Sequence, residues 1–208
     1  MSNYCITIAR GFGSGGRTIA KRVADRLGIN FYEHRILTLA SQYSGYSEDK
    51  FLDEKLNGAY LTNILAKLPI SMTPMPVMSK FVSDPKLFDI QSKVIHNLVD
   101  NENCIIVGKC ADHVLRDREN VYSFYIEAPR EFCLPRIMKK LNVSEAEAHS
   151  LISKTDKYRA DYYKYYTGGK DWTDVLNYDM TINTGRTGED MAVEIIVDYV
   201  KKQLEKNS

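Results

Sequence analysis

A run of glycines near the N-terminus constrains the fold more than any other feature of the sequence. Four glycines fall within residues 11–16, and Arg17 and Thr18 follow them. The segment Tyr4–Ala9 before the run is short, apolar and typical of a buried strand, whereas 18–27 carries apolar residues at helical spacing. A strand, a glycine loop and a helix in this order predict a loop that curls around an anion.

The residues 11–18 match the pattern G-x-x-x-x-G-[K/R]-[S/T] of a phosphate-binding loop. Glycines allow successive backbone N–H groups to point inward at phosphate oxygens, and the helix adds its positive N-terminal end. The side chain of Arg17 is expected between the β- and γ-phosphates, and the Thr18 hydroxyl on Mg²⁺. The residues expected to contact the nucleotide are Gly11, Phe12, Gly13, Ser14, Gly15, Gly16, Arg17 and Thr18. The alternative is a tight strand–helix turn whose glycines serve packing only.

Apolar strand-like segments alternate with helical patterns along the rest of the chain. Strands are expected at 4–9, 29–32, 104–108, 121–127 and 178–183. Helices are expected at 18–27, 34–43, 48–57, 59–68, from Pro85 onward, and at 111–118, 130–141, 144–166 and 187–205. This alternation predicts an α/β fold with a mostly parallel five-stranded sheet and helices on both of its faces.

The segment 69–78 contains three prolines and is expected to be a loop or an extended stretch, because proline is not tolerated inside a regular helix. Its isoleucine, valine and methionine side chains would form an apolar patch if they were exposed. An exposed patch of this kind predicts a homodimer contact. The alternative is that the segment packs against its own domain.

Composition and charge narrow the class of protein further. The 208 residues fit one domain, and 28 basic against 27 acidic residues leave a formal net charge of +1. That balance argues against nonspecific nucleic-acid binding, and no apolar run is long enough to cross a membrane. The four cysteines form no C-x-x-C pair, so we expect buried thiols in a reducing cytoplasm. The N-terminus also lacks the pattern of a signal peptide, so we expect a cytoplasmic protein.

Five segments, in this order, resemble the cytidylate kinase-like proteins: GFGSGGRTIAKRVADRLGINFYEHRIL, IIVGKCADHVLRD, YIEAPREFCLPRI, KTDKYRADYYKYYTG and YDMTINT. These proteins are relatives of bacterial cytidylate kinase within the P-loop nucleoside monophosphate kinases, and the resemblance covers about 4–200. It implies a P-loop NTPase three-layer sandwich in a single domain, 1–208. An acceptor-binding insertion is implied at about 33–100 and a lid at about 130–170. ATP and Mg²⁺ are the implied cofactors.

The resemblance implies catalytic roles for four residues. Arg136 and Arg159 match the lid arginines of cytidylate kinases, and Asp156 matches a carboxylate that orients these arginines or the acceptor. Asp156 and Arg159 are three residues apart, so both can lie on one face of a helix. The fourth residue is Arg17, because an arginine after the glycine loop is usual in this subgroup where the general motif has lysine.

Four further residues are candidates for binding the acceptor. Lys109 stands where an arginine of the family commonly meets the acceptor phosphate, and Glu33 matches an acidic position near the acceptor nucleoside. Arg35, which follows Glu33 closely, and Arg130, which follows the fourth strand, are candidates for phosphate contacts. For Arg130, as for Arg136, Asp156 and Arg159, the alternative is a solvated surface charge.

The expected reaction is transfer of the γ-phosphoryl group of ATP to a nucleoside monophosphate, CMP or dCMP by resemblance. Two alternatives stay open. One is a kinase that acts on another small hydroxyl or phosphate acceptor. The other is a nucleotide-binding module that senses or regulates without efficient turnover. The expected partners are nucleotide substrates, with no specific nucleic acid and no membrane.

Overall fold

A computed structural model describes residues 3–46 and 84–206. The helices expected at 48–57 and 59–68 lie outside the described residues. The proline-containing segment 69–78 and its expected homodimer contact lie outside them as well. The middle of the expected acceptor-binding insertion, 47–83, likewise lies outside the described residues.

Five parallel strands form the centre of the described structure. They are β1 (Cys5–Arg10), β2 (Asn30–Tyr32), β3 (Cys104–Val107), β4 (Val121–Glu127) and β5 (Met180–Asn183). Their order in the sheet is β2-β3-β1-β4-β5, and every pairing is parallel. Strand β1 lies in the middle, where Cys5 pairs with Cys104 of β3 on one side and with Val121 of β4 on the other. The predicted α/β fold with a five-stranded sheet is therefore confirmed.

Seven helices surround the sheet within the described ranges. They are α1 (Gly16–Leu27), α2 (Arg35–Ser44), α3 (Pro85–Asn101), α4 (Ala111–Val114), α5 (Arg130–Leu141), α6 (Glu145–Tyr166) and α7 (Thr184–Lys206). Neighbouring residues of a strand point to opposite faces of the sheet. Ile6 joins one buried cluster with Ile196 of α7, whereas Cys5 joins another with Ile36 of α2 and Ile95 of α3. Helices on both faces make the molecule a three-layer sandwich.

Helices α5 and α6 pack against each other beside the sheet. Ile137 of α5 and Ile152 of α6 belong to one buried cluster, and the half-buried Phe12 packs against it. Helix α6 begins with a capping box, which the sequence Ser-Glu-Ala-Glu at 144–147 predicts. The Ser144 hydroxyl accepts a hydrogen bond from Glu147 N at 3.4 Å, and Glu147 Oε2 accepts one from Ser144 N at 2.7 Å. These two helices occupy most of the segment expected to be the lid.

The helix expected at 111–118 is shorter than predicted and ends at Val114. The next residue, Leu115, is fully buried, and its carbonyl accepts a hydrogen bond from Arg118 N at 3.0 Å. This bond closes a turn that directs the chain into β4. Arg116 N donates to His113 O at 3.4 Å with the same spacing, so i to i−3 hydrogen bonds replace the helical i to i−4 pattern beyond Leu115.

Two boundaries near the C-terminus also differ from the prediction. The last strand begins at Met180, because a single 3-10 turn, Val175–Asn177, occupies the preceding residues. The final helix begins at Thr184 and is interrupted at Gly188, whose φ of 72° and ψ of 171° are not helical. The Thr187 hydroxyl before this break lies 3.3 Å from Asn183 O and 3.0 Å from Gly188 O, either of which can accept its hydrogen.

The cysteines are free and buried, as predicted: Cys5, Cys104, Cys110 and Cys133. Burial raises the pKa of the Cys5 and Cys110 thiols, which keeps them protonated. In the part of the chain that the structure describes, no helix has both the length and the apolar character needed to cross a bilayer.

Gly16, the first residue of α1, lets this helix approach the sheet closely. A Cβ at this position would lie 2.6 Å from Arg10 Cβ and 3.2 Å from Ile126 Cβ. We therefore expect Gly16→Ala to lower the free energy of unfolding by about 1–3 kcal/mol, as overpacking of a core usually does. Urea unfolding measures the effect. Lys21→Ala, on the exposed face of the same helix, is the control. Equal unfolding midpoints for the two variants would contradict the prediction.

Candidate functional site

A cavity of about 110 Å³ lies at the edge of the sheet where the parallel strands have their carboxyl ends. Open parallel sheets bind ligands at this edge, beside the strand at which the connections change direction. The wall includes most of the glycine loop (residues 11–18), together with Glu33 and His34. Five basic side chains complete it: Arg10, Arg17, Arg136, Lys140 and Arg159. An excess of cations around one carboxylate makes the cavity suited to anions.

Ser14 closes the glycine loop on itself. Its hydroxyl donates a hydrogen bond to Gly11 O at 2.9 Å, and its carbonyl accepts one from Thr184 Oγ1 at 2.6 Å. Gly13 and Gly15 have φ angles of 95° and 88°, a region that glycine enters without a steric cost. The loop is therefore a fixed cradle tied to the start of α7.

The first turn of α1 offers donors to an anion. Within the described ranges, no acceptor meets the backbone N–H of Arg17 or Thr18, as is usual for the first residues of a helix. The Thr18 side chain is exposed and lines the cavity. Free N–H groups at a helix N-terminus, with cations around them, fit the phosphate chain of a nucleotide.

The first turn of α1 also offers one oxygen ligand to a magnesium ion that arrives with a nucleotide. Among the residues that the structure describes, no three His, Cys, Asp or Glu side chains form a group that could hold a metal. Mg²⁺ usually keeps several waters and takes its remaining ligands from substrate phosphates and one or two protein oxygens. The Thr18 hydroxyl at the cavity is a suitable protein oxygen, as the motif predicts.

The Arg17 side chain pairs with Glu33, the residue after β2. Arg17 Nε lies 2.6 Å from Glu33 Oε2, and the same carboxyl group lies 3.1 Å from Arg10 Nη2 and 3.7 Å from His34 Nε2. Burial by itself would raise the pKa of Glu33, but the two guanidinium groups outweigh burial and lower it. Glu33 is therefore ionised and anchors the cation of the loop. Its contact with an acceptor nucleoside stays a prediction.

Arg10, the last residue of β1, is a cavity residue that no sequence motif marked. It is only 8% exposed, and its guanidinium crosses Gly108, where a Cβ would overlap Arg10 Nη1. Burial lowers the pKa of Arg10, and the Glu33 carboxylate opposes that effect. The available signal was a basic residue at the end of a buried strand, directly before the glycine loop.

Helix α6 brings Asp156 and Arg159 to the glycine loop, and their predicted position on one helix face is confirmed. Asp156 Oδ1 accepts hydrogen bonds from Phe12 N at 2.9 Å and from Arg159 Nη1 at 3.2 Å. Arg159 Nη1 also donates to Arg10 O at 2.9 Å, and its guanidinium lies 5.6 Å from the centre of the Phe12 ring. Burial, followed by Arg10, lowers the pKa of Arg159 to about 9, and burial raises the pKa of Asp156. Arg159 is thus held beside the loop by several contacts.

Arg136 reaches the glycine loop from α5 and forms an ion pair with Glu189. The pair joins Arg136 Nη2 to Glu189 Oε1, and the guanidinium lies 4.9 Å from the centre of the Phe132 ring. A Cβ on Gly15 would lie 2.5 Å from Glu189 Oε1 and 3.1 Å from Arg136 Nη2, so the pair lies directly against the loop. Glu189 follows the break at Gly188 in α7. No motif marked this carboxylate.

Lys140 also lines the cavity, and the sequence motifs did not mark it. It lies one turn after Arg136 on α5, at the spacing that places two side chains on one helix face. Burial lowers the pKa of Lys140, and Arg17 adds to the shift. None of the ion pairs formed by the described residues includes Lys140. The spacing from Arg136 was the signal that could have identified it.

Lys109 lies next to this cavity, outside its wall. Its backbone has a φ of 63°, which is uncommon for a residue with a side chain, and its carbonyl accepts a hydrogen bond from Gln91 Nε2 at 3.3 Å. Burial, followed by repulsion from Arg10, lowers the pKa of Lys109 to about 8, and Glu33 opposes the shift. The ammonium group therefore lies within electrostatic range of the Arg10–Glu33 pair.

Arg35 and Arg130 lie outside the cavity wall. Arg35 is exposed, and its guanidinium lies 5.6 Å from the centre of the Tyr32 ring. Arg130 is exposed at the start of α5 and donates a hydrogen bond to Ser153 Oγ at 3.3 Å. The structure thus gathers the four expected catalytic residues at the loop, whereas these two arginines occupy its surroundings.

Comparison with known proteins agrees with this geometry. The model of the "Cytidylate kinase-like family" matches residues 5–186. A protein named cytidylate kinase from Halobacterium salinarum is 22% identical over 195 residues, which cover 94% of this chain and 88% of that protein.

Solved structures show the same fold. An uncharacterized protein from Eubacterium ventriosum superposes with a TM-score of 0.70 at 24% identity, covering 96% of this chain and 99% of that one. An unliganded sugar kinase from Janibacter sp. HTCC2649 gives a TM-score of 0.51 at 15% identity, covering 96% and 95%. At these identities the likeness concerns the fold alone.

Glu189→Gln removes a negative charge beside the glycine loop and keeps the shape of the side chain. We expect ATP to bind about 2- to 10-fold more tightly, because the phosphates no longer meet a carboxylate and Arg136 becomes available to them. Titration calorimetry with ATP and Mg²⁺ measures the affinity. Glu194→Gln, on the same helix but paired with exposed Arg26, is the matched control. Weaker ATP binding by Glu189→Gln would contradict the prediction.

Proposed function

Because the chain belongs to the cytidylate kinase-like family, we propose that it transfers the γ-phosphoryl group of ATP to a nucleoside monophosphate. Membership of a kinase family supports an enzyme that phosphorylates a nucleotide or another small molecule. CMP and dCMP are the first acceptors to test, because the halobacterial relative is named a cytidylate kinase.

One observation carries the proposal: arginines from three separate helices converge on the glycine loop, each paired with a carboxylate. Arg17 belongs to α1, Arg136 to α5 and Arg159 to α6. Phosphoryl transfer needs little covalent chemistry from a protein. It needs phosphate chains held in line and cations around the transferred group. A loop that serves only to pack a strand against a helix requires no such set of cations.

In the proposed mechanism, the backbone N–H groups of the glycine loop bind the β- and γ-phosphates, and Arg17 lies between them. Mg²⁺ held by Thr18 neutralises negative charge on the phosphate oxygens when it is bound. Arg136 and Arg159 donate to the equatorial oxygens of the transferred group, where negative charge spreads in the transition state. Asp156 orients Arg159, so that its guanidinium need not be ordered during the reaction.

The segment 130–170 acts as the lid in this proposal, and its closure excludes water from the phosphates. The acceptor binds on the opposite side of the cavity, with its phosphate near Lys109 and its nucleoside near Glu33. The exposed Arg35 and Arg130 join the acceptor phosphate on closure. Arg17 supplies a positive charge at the phosphates of ATP, and Lys109 supplies one at the phosphate of the acceptor.

A coupled assay of ADP release tests the proposal against a panel of nucleoside monophosphates and small hydroxyl metabolites. We expect ATP-dependent ADP release with CMP or dCMP. Release only with a hydroxyl metabolite would identify a kinase of another substrate class. Tight ATP binding without release for any acceptor would identify a nucleotide-binding regulatory module. Either result would overturn the proposed acceptor.

Arg159→Lys should lower kcat on the order of 10³-fold, because a point charge cannot replace the fork of donors on the transferred group. Affinity for ATP, measured by calorimetry, should change little, since the arginine acts mainly on the transition state. Thermal unfolding checks that the variant is folded, because Arg159 also donates to Arg10 O. Lys157→Ala, exposed on the same helix and paired with Asp161, is the control. Unchanged kcat in Arg159→Lys would remove this residue from the reaction.

The pKa of Lys109, about 8, predicts how acceptor binding depends on pH. Below this pKa the ammonium is charged and attracts an anionic acceptor. Above it the amine is neutral, so the KM of the acceptor should rise by up to about tenfold per pH unit. Burial lowers the pKa of His34, which therefore stays neutral here, and Arg159 titrates only near pH 9.

Kinetics between about pH 7 and 8.5 measure this limb before Arg159 titrates. Lys109→Arg stays charged throughout the range, so its KM profile should be flat. Identical profiles for Lys109→Arg and the parent protein would show that Lys109 does not bind the acceptor.

A further inference from the structure

Arg10 is the most deeply buried cation of the cavity, and its guanidinium is only partly paired. Arg10 Nη2 lies 3.1 Å from Glu33 Oε1, whereas Nη1 meets no hydrogen-bond acceptor among the described residues. A guanidinium has five N–H donors in a fixed fork. When buried donors have no acceptor, the folded protein is less stable. The side chain therefore has unused donors at a cavity that is suited to anions.

The backbone of β3 leaves room for this guanidinium. Gly108, directly after β3, has a φ of 72°, and any Cβ there would overlap Arg10 Nη1. A left-handed glycine thus lies where the arginine crosses from β1 towards Lys109 and Glu33. The crossing brings the Arg10 guanidinium to Gly108, beside Lys109, where the acceptor phosphate is proposed to bind.

The charges around Arg10 do not balance. Arg10 interacts with the guanidinium groups of Arg17 and Arg159 and with two carboxylates, Glu33 and Asp156. Three guanidinium groups against two carboxylates leave a positive excess, to which the nearby Lys109 adds. Burying like charges together is unfavourable unless an anion joins them. The phosphates of ATP at the glycine loop would offset the charge of Arg17, which belongs to that loop, and would leave the charge of Arg10 to a second anion.

We propose that Arg10 binds the anionic group of the acceptor, a phosphate monoester dianion, through the guanidinium fork that crosses Gly108. Glu33 occupies the Nη2 end of this fork, and the acceptor phosphate binds the donors that Glu33 leaves unused. Arg10 is thereby the residue that selects acceptors with a phosphate over neutral hydroxyl compounds. This inference rests on the proposed function and adds to it the residue that binds the acceptor phosphate.

Inorganic phosphate is the probe that tests Arg10 without knowledge of the acceptor. The full-length protein is first saturated with Mg²⁺ and a non-hydrolysable ATP analogue, which fills the glycine loop. Phosphate is then titrated into it by calorimetry. We expect one phosphate to bind the parent protein, and Arg10→Lys to weaken that binding at least about 10-fold, because the fork is lost. The affinity for the ATP analogue should stay within about 3-fold of the parent, since Arg17 and the loop are unchanged.

Two further variants separate binding from folding. Glu33→Gln removes the neighbouring carboxylate, so phosphate should bind more tightly, whereas general damage to the cavity would weaken it. Arg26→Gln removes an exposed arginine that pairs with Glu194, and it should match the parent protein. Thermal unfolding of each variant confirms that it is folded.

Three results would overturn the inference: no phosphate binding to the loaded parent protein, parental phosphate affinity in Arg10→Lys, or weakened phosphate binding in Glu33→Gln. These results are distinct from failure of the proposed function. If CMP is phosphorylated but phosphate does not bind, only the role of Arg10 fails. If the panel selects a neutral hydroxyl acceptor, the proposed function fails, whatever the phosphate titration shows.

Discussion

The shared carboxylate of Glu33 is the interaction on which the cavity depends. Glu33 is 5% exposed and contacts Arg10 at the end of β1 and Arg17 in the first turn of α1. A buried carboxylate and a buried guanidinium are each stable only when an opposite charge and hydrogen bonds offset their loss of water. One negative charge therefore holds the ends of β1 and β2 and the start of α1 in a single arrangement.

The same arrangement recurs where α5 and α6 reach the glycine loop. Arg136 pairs with Glu189, and Arg159 pairs with Asp156, which also accepts the N–H of Phe12. These carboxylates reduce the repulsion among cations that must lie close together, and they order long side chains before a ligand arrives. Cations ordered in advance need not be reorganised when negative charge develops on a phosphoryl group. In the proposed kinase, substrate phosphates would compete with these carboxylates for the arginines.

The sequence was most informative where the determining contacts are local. Gly13 and Gly15 have the positive φ angles that the loop motif requires, and the spacing of Asp156 and Arg159 places both on one face of α6. The prediction was wrong for the length of the helix after β3, because i to i−3 hydrogen bonds from Arg116 N and Arg118 N close turns there instead. Arg35 and Arg130 were reasonable candidates from their positions beside strands, but proximity along the chain did not place either in the cavity wall.

The sequence by itself determined the α/β class, the parallel sheet, the glycine loop and the capping box of α6, because periodicity and turn chemistry act over a few residues. Only the tertiary structure decided which carboxylates pair with Arg17, Arg136 and Arg159. It also decided that Arg10 and Lys140 line the cavity and that Glu189 lies against the glycine loop beside it. Arg159 donates to the carbonyl of Arg10 across 149 positions of sequence, and Arg136 meets Glu189 across 53. Such contacts arise because parallel strands bring their carboxyl ends to one edge of the sheet, and the burial there decides which charges must pair.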